Sequence, residues 1–371
     1  MSTDATVVDR TYRASERDEW LEADGLGGFA SSTTAGVRTR RYHALLLTAT
    51  TPPTGRMVLV NGLESWISTE DGVFALTTQA YSPDIRHPNG ISRLTAFARD
   101  PWPCWTFTCE DRTRLVQEVL VSHGASLTVV SWRIEEPRPG VTLCVRPLLS
   151  GRDYHALHRE NPDFRFVPEI DGPRVCWRPY AGVPPITARS NGEYVHGPDW
   201  YRNFEYDEER RRGLECIEDL ASPGLFRFDL SSGEAFLILG AESSDAAEDA
   251  PAAATSAEDV AVLARRLRER ERERRRFASP WHRAADTYLV RRGRGKTIVA
   301  GYPWFTDWGR DTFIALRGLC LAGDRREDAR AILVEWADAV SEGMLPNRFP
   351  DRDESPEFNS VDASLWYVVA V

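Results

Sequence analysis

Lysine is almost missing from this sequence: Lys296 is the single one in 371 residues, and arginine carries nearly all the basic charge. We read that as a coding bias and attach no function to it. Basic residues are also outnumbered, 46 against 56 acidic ones, for a net charge of −10. Such a balance argues against general affinity for nucleic acid or anionic membrane surfaces. The six cysteines contain no Cys-x-x-Cys pair, which removes the usual signature of a zinc ribbon or dithiol centre. They are expected to be buried free thiols in a reducing compartment. No stretch is long and apolar enough to span a bilayer, and the opening MSTDATVVDR lacks the basic and apolar regions of a secretory signal. The expectation is a cytoplasmic protein with no membrane partner. A Gly-x-Ser-x-Gly nucleophile elbow is missing too. Gly25-Leu26-Gly27-Gly28 is not followed by Lys-Ser/Thr, so it reads as a turn, and no cofactor is expected.

What is present divides the chain. Residues 1–245 read as β-rich. In Leu127 to Ile134, alternation places Val130, Trp132 and Ile134 on one face. Trp105–Thr108 with Leu115–Val121 predicts a hairpin, and Phe226–Leu230 with Ala235–Leu239 predicts another. Many short strands between Gly, Pro and Asp imply an antiparallel β-sandwich. Residues 246–280 read as a linker and connecting helix. Thr255 and Glu258 have capping-box spacing, and Val260, Leu263, Ala264 and Leu267 form one helical stripe. The run RERERERRR alternates in sign, as a solvated helix does, and is not a nucleic-acid patch.

Residues 281–371 read as helices joined by functional loops. Helices are predicted at Thr312–Leu321, with Gly323 behind it, and at Asp328–Val340. A third begins near Ser360. It runs to Val371 with no stop signal, so the chain is expected to be part of something longer, with apolar faces near Trp336 and Trp366 uncovered.

Two clusters carry the chemistry. Tyr302 to Asp311 packs Trp304, Phe305 and Trp308 beside Asp307, Arg310 and Asp311. Sugars present weakly apolar C–H faces and hydroxyl-rich edges. Aromatic plates suit the faces, and guanidinium donors with carboxylate acceptors suit the edges. The second cluster joins Asn347 to Asn359 and Asp362, with Trp366 one turn on. Asp362 stands at a helix start, where an Asp often only satisfies the helix dipole. In an apolar aromatic pocket its pKa would rise, and it could act as a general acid. His155 and His158, three apart, have no helical Glu partner, which leaves little support for metal binding.

These strings resemble the amylo-α-1,6-glucosidase part of glycogen debranching enzymes. At the start the likeness lies in Glu19-Trp20-Leu21, Gly25 to Phe29 and Arg40-Arg41-Tyr42-His43-Ala44-Leu45-Leu46, where Ala44 departs from an expected Gly. Asp199 to Phe204 and Glu218-Asp219-Leu220 continue it. Tyr302 to Phe313 and Asn359 to Trp366 look like the opening of the glucosidase domain. The resemblance implies a β-sandwich followed by the incomplete start of an (α/α)6 barrel, and an inverting hydrolase acting on glycogen or another branched α-glucan. It implies that Arg310 and Asp311 hold the terminal glucose, that Asp362 is the general acid, and that Trp304, Trp308 and Trp366 wall the pocket. Asp307, Asn347 and Asn359 complete the expected sugar contacts. The general base of this family comes from later in the barrel. The 371 residues are therefore expected to lack it. Two readings compete: a glucoamylase-like or trehalose-cleaving hydrolase of the same barrel type, and a glucan-binding module without chemistry.

Overall fold

A computed structural model describes residues 14–231, 233–242, 254–350 and 355–371. Most of the predicted linker lies outside them. Two antiparallel sheets dominate. The ten-stranded sheet runs, edge to edge, through Glu19–Ala23, Phe29–Thr33, Ala44–Thr51, Thr54–Thr69, Thr142–Asp153, Ile217–Asp229, Glu193–Glu205, Gln79–Tyr81 and Ile85–His87, with Gly72–Ala75 paired beside Thr54–Thr69. The eight-stranded sheet runs through Pro168–Asp171, Arg174–Trp177, Ile186–Ser190, Ala235–Ala241, Leu127–Ile134, Arg114–Ser122, Cys104–Thr108 and Leu94–Ala98.

The alternation read in Leu127–Ile134 decides how these strands pack. Val130, Trp132 and Ile134 enter the core between the sheets, with Leu143, Val145, Trp177, Phe226 and Leu237. Val129 points the opposite way, as do Leu120, Phe236 and Ile238, and this outer face is covered by a helix. A sheet apolar on both faces must be covered on both.

Cys104–Thr108 and Arg114–Ser122 form the expected hairpin. Phe226–Leu230 and Ala235–Leu239 do not. The first belongs to the strand paired with Thr142–Asp153, and the second sits between Leu127–Ile134 and Ile186–Ser190 in the other sheet. The polar break between them therefore carries the chain across the sandwich. A short turn signal cannot distinguish this arch from a hairpin, because both strands alternate alike.

Helix α1, Asp207–Arg211, follows the strand Glu193–Glu205. Helix α2, Ala257–Arg274, covers the eight-stranded sheet with Val260, Leu263, Ala264 and Leu267. Its capping box is Ser256 with Asp259, not Thr255 with Glu258: the Ser256 hydroxyl accepts from the Asp259 amide at 3.2 Å, and the Asp259 carboxylate accepts from the Ser256 amide at 2.9 Å. The charged run on this helix is partly buried. Glu271 is fully buried and holds the His123 amide, Arg274 and Arg275, while Arg268 reaches Glu234 and Glu118 on the sheet.

Beyond it lie α3 (Pro280–Tyr288), α4 (Gly309–Leu316, extended by a wider turn Arg317–Leu321), α5 (Arg326–Ala337) and α6 (Asp362–Ala370). Between α3 and α4 runs a hairpin, Leu289–Arg292 with Gly295–Ile298, that the helical reading of this region missed. It helps to bury Phe313, Ile332 and Trp336. Trp336 is accordingly inside, contrary to expectation. Its indole meets Phe313 and Phe349 edge-on and donates to the Thr297 hydroxyl at 3.1 Å. Trp366 is half-buried against the same cluster, while Leu365, Val368 and Val369 on α6 are exposed. No described helix is long and apolar enough to cross a membrane.

Candidate functional site

The loop leading into α4 is closed by its own backbone. The Ala300 amide donates to the Thr306 carbonyl at 2.8 Å and the Phe305 amide to Gly301 at 2.8 Å. Trp308 bridges to Arg348, which bridges in turn to Glu357, so the loop before α4 and the loop before α6 share one small ladder. The Arg348 guanidinium also lies 5.5 Å from the Trp308 ring centre and pairs with Glu357 at 2.7 Å. Trp304 turns toward the sandwich. Tyr42 meets it edge-on at 5.9 Å, and the guanidinium groups of Arg40 and Arg212 stand 5.7 and 5.4 Å from its ring centre.

The opening of α4 is forced close to α6. A Cβ at Gly309 would stand 2.6 Å from the Pro346 carbonyl oxygen and 3.2 Å from the Ala363 methyl, so only glycine fits. Its amide donates to the Asn347 carbonyl at 2.8 Å. This approach brings Arg310 and Asp362 together, Nη1 to Oδ2, at 3.3 Å. The second Asp362 oxygen accepts from the Ser360 hydroxyl.

The charge state of Asp362 differs from the expectation. The Ser360 hydroxyl, then the Arg310 guanidinium, hold its carboxyl below the ordinary value of 3.8. Its side chain is 41% exposed, so water and a cation surround it instead of an apolar wall. Asp311 is exposed on the first turn of α4. Asn347 is buried and donates to the Asn359 side-chain oxygen at 3.2 Å, and Asn359 donates to Glu357 at 3.2 Å. These two asparagines brace the loop before α6.

Asp307 does not face the surface. It is fully buried, takes Arg292 at 2.8 Å, and burial pushes its carboxyl up despite that arginine. Arg292 in turn lies 3.4 Å from the Phe349 ring centre. Asp307 therefore ties the loop to the hairpin, a role that only its distant partner reveals.

A groove of 240 Å³ opens beside this array, lined by His155, Trp304, Phe305, Thr306, Trp308, Arg348 and Phe349. Arg310 and Asp362 lie outside its lining. His155 and Arg348 are not among the sugar contacts expected from the sequence. The pattern around His155 had suggested only a weak metal motif, but its ring bonds the Tyr42 hydroxyl at 3.0 Å, while the buried His158 ring bonds the Asp219 carbonyl and Tyr180. A larger groove, 520 Å³, lies between the sandwich and α2–α3. Three of its four arginines are already engaged: Arg275 and Arg283 with Glu22, Arg274 with Asp286. Among the described residues no group of three or more His, Cys, Asp or Glu is placed to hold a metal ion.

Comparison with known proteins adds a second line of observation. Residues 18–237 match the family described as glycogen debranching enzyme N terminal, and residues 283–371 match amylo-alpha-1,6-glucosidase. A glycogen debranching enzyme of Saccharomyces cerevisiae is 35% identical over 80 residues, which is 20% of this chain and 5% of the yeast protein. Among solved structures, a bacterial glucoamylase complexed with acarbose superposes with a TM-score of 0.48 at 11% identity, covering 97% of this chain and 54% of that one. The chain thus spans a small part of the yeast relative and about half of the glucoamylase. The match to the N-terminal family alone runs over more than half of the 371 residues, and the chain belongs to the glycogen debranching enzyme family.

Proposed function

We propose that this chain carries the sugar-binding part of an α-1,6-glucosidase that trims glycogen-like glucans, with α3–α6 opening an (α/α)6 barrel. The observation that carries the reading is the meeting of Arg310 and Asp362 at 3.3 Å, beside Trp308, inside the segment that matches amylo-alpha-1,6-glucosidase. Arg310 and Asp311 grip the hydroxyls of the terminal glucose, and the indoles of Trp308 and Trp366 meet its C–H faces. Asp362 is the general acid. In the empty site it is ionised and paired. A glucose ring that takes Arg310 for its own hydroxyls removes the cation and excludes water, and both changes raise the Asp362 pKa. The protonated carboxyl then donates to the glycosidic oxygen as the bond breaks.

An inverting reaction needs a second carboxylate roughly 6.5–9.5 Å from the acid, with a water between them. Glu357, an acid near Asp362 in the chain, is occupied by Arg348 and Asn359. We assign the base to a residue outside those described. The net charge of −10 favours a neutral glucan over nucleic acid as partner, and six free cysteines favour a cytoplasmic setting.

A second reading is a glucan-binding surface without chemistry. The lowered Asp362 pKa favours it, since an acid catalyst must carry a proton. Substrate profiling of the natural protein separates the readings. Glucose released from an α-1,6-branched limit dextrin, with little from linear maltooligosaccharides or trehalose, is the expected result. Sugar binding with no release from any of these would leave the binding module standing.

A further inference from the structure

We infer that Arg56 and Tyr154, both borne by the sandwich, are positioning residues for the sugar-binding loop. The inference rests on the proposed glucosidase site and concerns how that site is held. Three successive carbonyls of the loop each accept from a buried sandwich group. Arg56 Nη1 donates to Pro303 at 3.3 Å and to Phe305 at 2.9 Å, and the Tyr154 hydroxyl donates to the Trp304 carbonyl between them at 3.0 Å. Both side chains are fully buried. Loop carbonyls ordinarily turn to water, and buried ones must find donors in the protein. Here the donors come from a strand and from the turn after another, some 250 and 150 residues away.

The choice of residue argues for positioning beyond adhesion. Apolar side chains would dock this loop at lower cost, because a buried charge is expensive unless matched. Arg56 Nε and Nη2 are buried with no hydrogen-bond partner among the described residues, and its guanidinium sits 5.6 and 5.3 Å from the ring centres of Tyr154 and Tyr302. A planar, rotationally fixed guanidinium holds two carbonyls at set angles, as an apolar contact cannot. Those carbonyls flank Trp304 and stand a few residues before Trp308 and Arg310. Moving them therefore moves the indole and the start of α4. Tyr154 is itself secured from behind by Arg152, which donates to the Asp153 carbonyl at 3.2 Å and is paired with Glu218.

The test uses the natural protein with Tyr154→Phe, Arg56→Met and Arg56→Lys, beside Asp362→Asn. Four quantities are read on each: kcat and KM on α-1,6-branched limit dextrin, melting temperature, and hydrogen exchange of the peptide covering 299–310. Tyr154→Phe removes one buried hydrogen bond. It should raise KM about five- to tenfold and speed exchange in 299–310 by a similar factor, with other peptides of the sandwich unchanged. Arg56→Met should exceed it, and Arg56→Lys should recover part of the loss. If Arg56→Met does not fold, Tyr154→Phe and Arg56→Lys carry the test. Wild-type KM and wild-type exchange in 299–310 for folded Tyr154→Phe and Arg56→Lys would overturn the inference. Full activity in Asp362→Asn would instead overturn the general-acid role of Asp362, and a wild type that releases no glucose would overturn the glucosidase reading; in either case the exchange readout would still decide whether the loop is held from the sandwich.

Discussion

Replacing Glu218 by Gln would test how the sandwich secures the segment that carries Tyr154. Glu218 is fully buried. Its carboxylate accepts from Arg152 Nε at 2.5 Å and Nη2 at 3.1 Å, from the His158 amide at 2.9 Å, from Asn61 at 3.3 Å and from the Tyr206 hydroxyl. The Gln side chain keeps the shape, removes the charge and turns an NH2 toward other donors. Arg152, itself buried, loses its counter-charge. Breaking a buried pair in this way costs about 3–5 kcal/mol. The two sheets span residues 19–241, and about 2.1 cal/mol/K per residue gives an unfolding entropy near 0.47 kcal/mol/K. A loss of about 4 kcal/mol then lowers the melting temperature by roughly 8–9 °C at pH 7. Calorimetry measures this directly. The double variant Arg152→Met/Glu218→Gln removes both charges and should lose less than the two single variants added together. A melting temperature within about 2 °C of wild type for Glu218→Gln, or strict additivity in the double variant, would refute the reasoning.

Two further perturbations follow from the same packing. Burial holds the Asp24 carboxyl at about 7 against an ordinary 3.8, outweighing hydrogen bonds from the Leu26 and Gly28 amides and the charge of Arg56. The folded protein therefore keeps a proton that the unfolded chain has released, and this contribution, about 4 kcal/mol, is complete below pH 3.8 and lost as pH rises through 7. Wild type should lose melting temperature between about pH 4 and 7 relative to Asp24→Asn, which cannot ionise; parallel curves would contradict this. Gly309→Ala should cost about 1–3 kcal/mol by overpacking, and should weaken sugar binding by parting α4 from α6, as measured by melting and by titration with a maltooligosaccharide. Wild-type stability and affinity would show that the gap there is softer than its 2.6 Å approach implies.

How far the sequence could be read depended on the range of each interaction. Val130, Trp132 and Ile134 showed their inward face because a strand alternates with period two, and the Val260–Leu267 stripe showed its sheet-facing side because a helix repeats every 3.6 residues. Both patterns are local. Partners are not. Nothing between Phe226 and Leu239 says that the two strands join different sheets, since each is written in the same alternation. Asp307 looked like a sugar contact because its aromatic neighbours are adjacent in sequence, whereas Arg292, which claims its carboxylate, comes from the hairpin before the loop. The same limit hid Arg56 and Tyr154. The environment of Asp362 was misjudged for a related reason: aromatic residues nearby in sequence suggested an apolar pocket, but the groups that touch it are a serine hydroxyl and a guanidinium.

The most direct measurement is a crystal structure of the natural protein with a branched maltooligosaccharide bound. The account predicts a terminal glucose against Trp308, its hydroxyls held by Arg310 and Asp311, and the Asp362 carboxyl within about 3 Å of the glycosidic oxygen. A ligand bound elsewhere, with Asp362 still paired to Arg310 and open to solvent, would contradict it.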